Sequence, residues 1–250
     1  MGRVTIEFDP LTLFGPLDRS KEQIVPGHDS NYWLEFHLAF YRYAEPRARG
    51  DVLDLGCGYG YGSELLSRKA KSVTGLDYHH PAIEYNRSHY SAPNLRFVEH
   101  DANTPLPFPD SSFDLVVSSE VLEHIDRRHD LLREIARVGR RGGHLILKTP
   151  NAASAAPESN PHHHHTYSLE EFQDEIRGVF PNAEIYRWVP RTEVKQQVVD
   201  FPVKRETGAF GEPFPSEKAL LVYFLTTPLV VPVGEGDLVG DLLAVCPIRQ

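Results

Sequence analysis

The stretch Asp51-Val-Leu-Asp-Leu-Gly-Cys-Gly-Tyr-Gly-Tyr-Gly62 leaves this chain few folds to choose from. An apolar run, Val52 to Leu55, ends in three alternate glycines, Gly56, Gly58 and Gly60, and passes into a helical pattern from Ser63 through Leu65 and Leu66. That order describes a buried strand turning into a helix through a loop almost free of side chains. Glycine is needed where the backbone folds tightly and approaches a ligand closely, and the N–H groups of a helix start favour polar or anionic ligand groups. A nucleotide-like ligand is expected, although an ordinary Gly-rich turn has the same local pattern. A dinucleotide fingerprint would place its third glycine at position 61, where this chain has Tyr61, so a nicotinamide cofactor is disfavoured. Asp54 stands two residues before Gly56, where it can face a cationic amine.

Beyond the loop, apolar runs ending in acids recur. Ser72-Val-Thr-Gly-Leu-Asp77 reads as a second strand, and an acid about twenty residues past the glycines is placed to accept hydrogen bonds from ribose hydroxyls. A helix N-cap is the plainer role for Asp77. Tyr78 follows, available to an adenine face. Leu95 to Val98 forms a third strand leading into Asp101 and Ala102, and Asp110 to Ser118 enters a fourth after the stiff Pro105, Pro107 and Pro109. A helix from Asp126 carries Leu131, Leu132, Ile135 and Val138 at helical spacing. Gly142 to Leu147 and Ala183 to Val189 supply further strands, with a capped helix from Ser168 to Val179 between them. Strands alternating with helices make an α/β, doubly wound sheet, whose ligands sit outside the carboxyl ends of the strands.

Asp54-Leu-Gly-Cys-Gly-Tyr-Gly60 resembles motif I, E/D-x-G-x-G-x-G, of the class I S-adenosylmethionine (SAM)-dependent methyltransferases. Leu106-Pro-Phe-Pro-Asp-Ser-Ser-Phe-Asp-Leu-Val116 resembles another segment of that family, and the likeness runs from about Tyr32 to Asn151. The resemblance implies a Rossmann-like seven-stranded sheet closed by an antiparallel strand, Leu242 to Ile248, with an N-terminal helical cap and a C-terminal insertion. It implies that Gly56, Gly58 and Gly60 cradle the amino-acid part of SAM and that Asp54 assists its ammonium. Asp77 would take the ribose, Asp101 the adenine amino group, and Ala102 would offer a backbone N–H. Ser119 to Ile125 would be the loop beside the transferable methyl group.

Methyl transfer to a hydroxyl needs a base, or a metal that lowers the hydroxyl pKa. Glu120, Glu123 and His124 are candidates, together with the run Asn160-Pro-His-His-His-His-Thr-Tyr-Ser-Leu-Glu-Glu-Phe172. That run resembles bacterial methyltransferases acting on sugars and natural products, which places His163 at their shared histidine; His124 and His163 are the expected catalytic pair. Glu120, Glu123, His124 and His163 also resemble the metal set of magnesium-dependent small-RNA terminal 2′-O-methyltransferases. Two carboxylates with two imidazoles is an untypical shell for Mg²⁺ and suits other divalent metals too. The plainer roles are a first-turn charge for Glu123 and a hydrogen-bonded strut for His124, since a similar phrase occurs in methyltransferases without metal.

The net charge of −9 opposes non-specific binding to nucleic acid or an anionic membrane, which weighs against an RNA acceptor. Two cysteines, Cys57 and Cys246, make no disulfide framework, and no stretch reads as a signal peptide or membrane span, so a cytoplasmic monomer or homodimer is expected. Residues 1–29 read as an irregular arm. Trp33, Phe36, His37, Phe40, Tyr41 and Ala44 mark an aromatic-faced helix ending before Pro46, which completes a cap over residues 1–49. The catalytic domain would be 50–250, with a substrate-side insertion at about 190–240 whose Phe210, Phe214 and Tyr223 are available to form a lid. The expected activity is SAM-dependent methylation of a small-molecule hydroxyl, on a sugar or natural product. A SAM-binding protein of the same fold that does not methylate shares every one of these motifs.

Overall fold

The computed structural model describes residues 3–6, 23–25, 31–153, 162–189, 197–200, 229–233 and 241–249. Numbered in chain order, its strands are β1 (Arg3–Ile6), β2 (Asp51–Leu55), β3 (Ser72–Asp77), β4 (Leu95–Glu99), β5 (Phe113–Ser119), β6 (Gly139–Thr149), β7 (Glu184–Val189), β8 (Gln197–Asp200), β9 (Leu229–Pro232) and β10 (Asp241–Pro247). Its α-helices are α1 (Asn31–Ala44), α2 (Tyr61–Ser67), α3 (His80–His89), α4 (Arg128–Val138) and α5 (Leu169–Val179).

The main sheet runs β4-β3-β2-β5-β6-β10-β7-β9. Strands β4, β3, β2, β5 and β6 are mutually parallel, and β10 enters antiparallel between β6 and β7. Seven of these strands make the expected doubly wound sheet with its antiparallel closing strand. An eighth, β9, departs from expectation: it pairs antiparallel with β7 from Tyr186↔Pro232 to Val189↔Leu229 and covers an edge that would otherwise expose unpaired backbone. Its run Leu229-Val-Val-Pro232 suits an edge, because Pro232 ends a ladder to which it cannot donate. β1 and β8 form a separate antiparallel pair. Apart from β1, β8, β9 and residues 23–25 and 233, the N-terminal arm and the insertion, with Phe210, Phe214 and Tyr223, lie outside the described residues.

Side-chain alternation sends each strand into two cores. Leu53, Leu55, Val116, Leu145 and Leu147 face α4 and α5, where Leu131, Leu132, Ile135, Phe172 and Ile176 meet them. Val52, Val73, Leu115, Val117 and Ile146 face the other way, against Leu38, Phe40 and Tyr41 of α1 and Leu65 and Leu66 of α2. The aromatic helix thus packs on the sheet, Phe40 lying edge-on to Trp188 at 6.1 Å between centroids. α1 passes into a 3₁₀ turn at Glu45–Arg47, carrying the expected Pro46. α5 begins with a capping box in which Ser168 Oγ accepts from Glu171 N–H and Glu171 Oε2 accepts from Ser168 N–H. Among the described residues no helix is long and apolar enough to cross a membrane.

Candidate functional site

A cavity of about 330 Å³ opens where β2, β3, β4 and β5 end, the crevice a doubly wound sheet reserves for ligands. Its floor is the glycine loop. Gly56, Gly58 and Gly60 hold φ of +74°, +49° and +74°, left-handed values that side chains with a Cβ resist. A Cβ on Gly56 would also run into Val121. The turn is anchored from below by Leu76, whose carbonyl accepts from the N–H groups of Gly56 and Cys57 at 2.8 and 3.0 Å.

Asp77, at the end of β3, is buried on the cavity wall. It accepts from Gly58 N–H at 2.8 Å, His79 N–H at 2.9 Å and Gln23 Nε2 at 3.2 Å. Gln23 also meets His79 Nδ1 at 3.0 Å through its Oε1, which ties a piece of the N-terminal region to the cavity. Tyr78, Asp101, Ala102 and Ser119 line the same space. Tyr78 stands out as an exposed aromatic, and Asp101 Oδ1 accepts from the N–H and Nδ2 of Asn103 at 2.9 and 3.1 Å. Ser119 Oγ is buried with no hydrogen-bond partner among the described residues.

Asp54 is placed differently from the expectation of a direct ammonium contact. It shares a strand face with Val52, so its carboxylate enters the α1–α2 layer, fully buried, and does not line the cavity. There it accepts from Ser63 Oγ at 2.5 Å and Tyr41 Oη at 3.2 Å. Burial pushes its carboxyl up to about 7, against those two hydrogen bonds.

The histidine expectations meet in one cluster. Backbone N–H groups of His164 and His165 donate to Glu123 O at 2.8 and 3.1 Å, which lays the histidine run against the turn after β5. His124 and His163 come edge-to-face at 5.0 Å between centroids. Ligand atoms of Glu123, His124 and His163 lie within 4.8 Å of one another. Glu123 is 1% exposed; one carboxylate oxygen accepts from Thr149 Oγ1 at 2.9 Å, while Oε1, 4.0 Å from His124 Nε2, is buried without a hydrogen-bond partner among the described residues. Burial first, and then the nearby Glu120 charge, raise its carboxyl well above the usual range. His124 Nδ1 lies 2.9 Å from the His162 carbonyl, which only accepts, so Nδ1 carries the proton and Nε2 is the basic nitrogen.

Glu120 does not join that cluster as expected of a metal ligand. Its carboxylate pairs with Lys148 Nζ, which also bonds Asp241 Oδ2 at 3.1 Å. Lys148, Asp241 and the cavity-lining Gln23 went unread in the sequence, while His37 and Tyr41 were read only as part of the aromatic helix face and His164 only as part of the histidine run. A lysine ending the apolar run Leu145-Ile-Leu-Lys148 was the one local signal for this group. Its partners come from residues 28 and 93 positions away, a distance no spacing reveals.

Residues 53–147 match the family described as Methyltransferase domain. A Mycolicibacterium smegmatis protein named a probable S-adenosylmethionine-dependent methyltransferase is 37% identical over 138 residues, covering 54% of this chain and 52% of its own. A fatty-acid O-methyltransferase from the same organism is 38% identical over 110 residues, covering 43% and 39% of the two chains. The chain spans about half the length of the first of these and less of the second. The fold is shared with a SAM-dependent methyltransferase of Archaeoglobus fulgidus, with a TM-score of 0.58 at 19% identity over 86% of this chain and 94% of that one. The matched stretch, residues 53–147, holds the glycine loop and the parallel strands, and through it the chain is similar to SAM-dependent methyltransferases.

Proposed function

We propose that the protein transfers a methyl group from SAM to a hydroxyl of a small organic acceptor, lipid-like molecules included. The observation that carries this reading is the convergence of the left-handed glycine loop, Asp77 and Asp101 on one cavity. Donor SAM supplies a methyl group made electrophilic by its sulfonium. Gly56, Gly58 and Gly60 would take the amino-acid part of the cofactor against bare backbone, Asp77 the ribose, and Asp101, Ala102 and Tyr78 the adenine. Asp54 would act from beneath, fixing α2 through Ser63 so that the loop keeps its shape. Ser119 Oγ lines the cavity, has no hydrogen-bond partner among the described residues and is available to the ligand. The apolar Ile24, Val121 and Ile125 on the same wall suit an acceptor with hydrocarbon character.

The remaining work is alignment, exclusion of water and removal of one proton. His124 lines the cavity, and its Nε2 would take the acceptor's proton while Nδ1–H stays on the His162 carbonyl. His163 supports that ring edge-on. A second reading rests on Glu123 Oε1, which has no hydrogen-bond partner among the described residues and lies 4.0 Å from His124 Nε2: a buried carboxylate oxygen beside two imidazoles fits a divalent cation, which would be held by Glu123, His124 and His163 and would lower the hydroxyl pKa. In that case His124 Nε2 is a ligand and not the base. Titration of SAM into EDTA-treated protein, repeated with Mg²⁺ and with Zn²⁺, separates the readings; SAM binding without metal and no saturable cation heat favours His124 as base. Transfer of labelled methyl to an acceptor pool separates both from a non-methylating SAM-binding protein. RNA as acceptor is disfavoured by the net charge of −9.

A further inference from the structure

A buried ion cluster stands beside the histidine site, in a part of the cavity wall that neither reading uses. Lys148 shares its strand face with Ile146, so it enters the α1 layer and is 2% exposed. Because β10 runs antiparallel to β6, with Leu242↔Thr149 and Leu243↔Lys148 paired, Asp241 is delivered to the same end of the sheet. Lys148 Nζ is therefore enclosed by Glu120, by Asp241 and by the ring of Phe36 at 5.7 Å. A buried cation requires such compensation.

Lys148 has two acid partners; burial raises the Asp241 carboxyl against the pull of Lys148, and the acid nearer the cavity is Glu120, which lines it. Glu120 is a non-glycine residue at φ +56°, a conformation that persists only where surroundings enforce it. Lys148 enforces it at both ends: its carbonyl accepts from Glu120 N–H at 3.0 Å, and its ammonium holds the Glu120 carboxylate. His37 lies on the cavity wall with Glu120. Burial, and then the Lys148 charge, bring His37 down to about 3 against the opposing pull of Asp241, so its imidazole is neutral. The wall thus carries both a clamped carboxylate and a neutral imidazole.

We propose that this wall selects the methyl acceptor by charge: Glu120 accepts a hydrogen bond from a hydroxyl or ammonium group on the acceptor and turns away a carboxylate. Lys148 and Asp241 are positioning residues that fix Glu120. The inference rests on the methyl-transfer reading of the same cavity and narrows its acceptor class. It also separates this chain from the relative named for fatty acids, whose acceptor carries a carboxylate.

The test compares octanol, octylamine and octanoate by calorimetric titration into the 250-residue chain, with and without S-adenosylhomocysteine. The parent should bind octylamine and octanol at least about tenfold more tightly than octanoate, and Glu120→Gln should shrink that ratio to about threefold or less while SAM affinity stays within about twofold. Glu120→Asp, which keeps the charge on a shorter arm, should retain the rejection of octanoate while losing affinity for octanol. Equal binding of octanoate by the parent, no binding of any of the three, or a ratio untouched by Glu120→Gln would overturn the proposal. Failure of the parent to bind SAM would instead remove the methyl-transfer reading, since the octyl ratio is read separately from it.

Discussion

Asp77 receives three hydrogen bonds already, two of them from backbone N–H groups of the loops it joins. Its removal therefore has two consequences: a ribose partner is lost, and Gly58 N–H is left without its acceptor. Asp77→Ala should weaken SAM binding by about 1–3 kcal/mol, the cost of leaving buried polar groups unpaired. Calorimetry reads this directly, and an unchanged affinity would take Asp77 out of the site. Asp54 offers a different test. Its carboxyl sits near 7 in the folded protein, above the ordinary value of 3.8, so the native state holds a proton that the unfolded chain has released. Stability from this group is full below the unfolded value and falls as pH rises towards the folded one. Asp54→Asn carries no such dependence. Its stability relative to the parent should improve between about pH 4 and pH 7, by at most about 4 kcal/mol, and level off above that. Urea unfolding of both proteins at pH 5 and pH 8 checks the sign; a difference independent of pH would mean that Asp54 is ionised at little cost.

At the scale of elements, the loop depends on how closely α1 approaches α2. Gly62, one residue into α2, faces the Tyr41 ring so closely that any Cβ would enter it. The same Tyr41 reaches past it to Asp54. Gly62→Ala should lower stability by about 1–3 kcal/mol through overpacking and weaken SAM binding too, because α2 starts at the glycine loop. Thermal unfolding with a parallel SAM titration measures both, and an unchanged melting temperature would show that α1 gives way without cost. The elements themselves were largely legible. Buried strands read as apolar runs between Gly, Pro and Asp, and α4 and α5 as apolar residues at helical spacing. β9 was not, since Leu229-Val-Val-Pro232 is a short run in a Pro- and Gly-rich stretch, and only the open edge of β7 gives it a partner.

Across the whole molecule, the site joins segments that the chain keeps far apart. The turn after β5 and the histidine run meet through His164 and His165 N–H on Glu123 O, and that contact makes a possible ligand set from Glu123, His124 and His163. The substitution His163→Ala (H163A) should abolish any saturable Mg²⁺ or Zn²⁺ heat while leaving SAM affinity within about twofold, because His163 belongs to the Glu123–His124–His163 group and is not among the residues lining the cavity. Cation heat that survives in H163A would place the metal elsewhere.

The sequence alone determined the order of strands and helices, the glycine loop and the acids at strand ends, because these follow from side-chain periodicity and backbone sterics within a few residues. Only the tertiary structure decided which face each strand-end group enters. Asp54 turns into the α1–α2 layer and not into the cavity, since α1 and α2 cover the strand face it shares with Val52. Glu120 pairs with Lys148 and not with Glu123, His124 and His163, since β6 and β10 bring a buried cation and a second acid to its side. A buried charge takes whichever partner the packed strands place nearest, and that is set by sheet order, which local pattern does not contain.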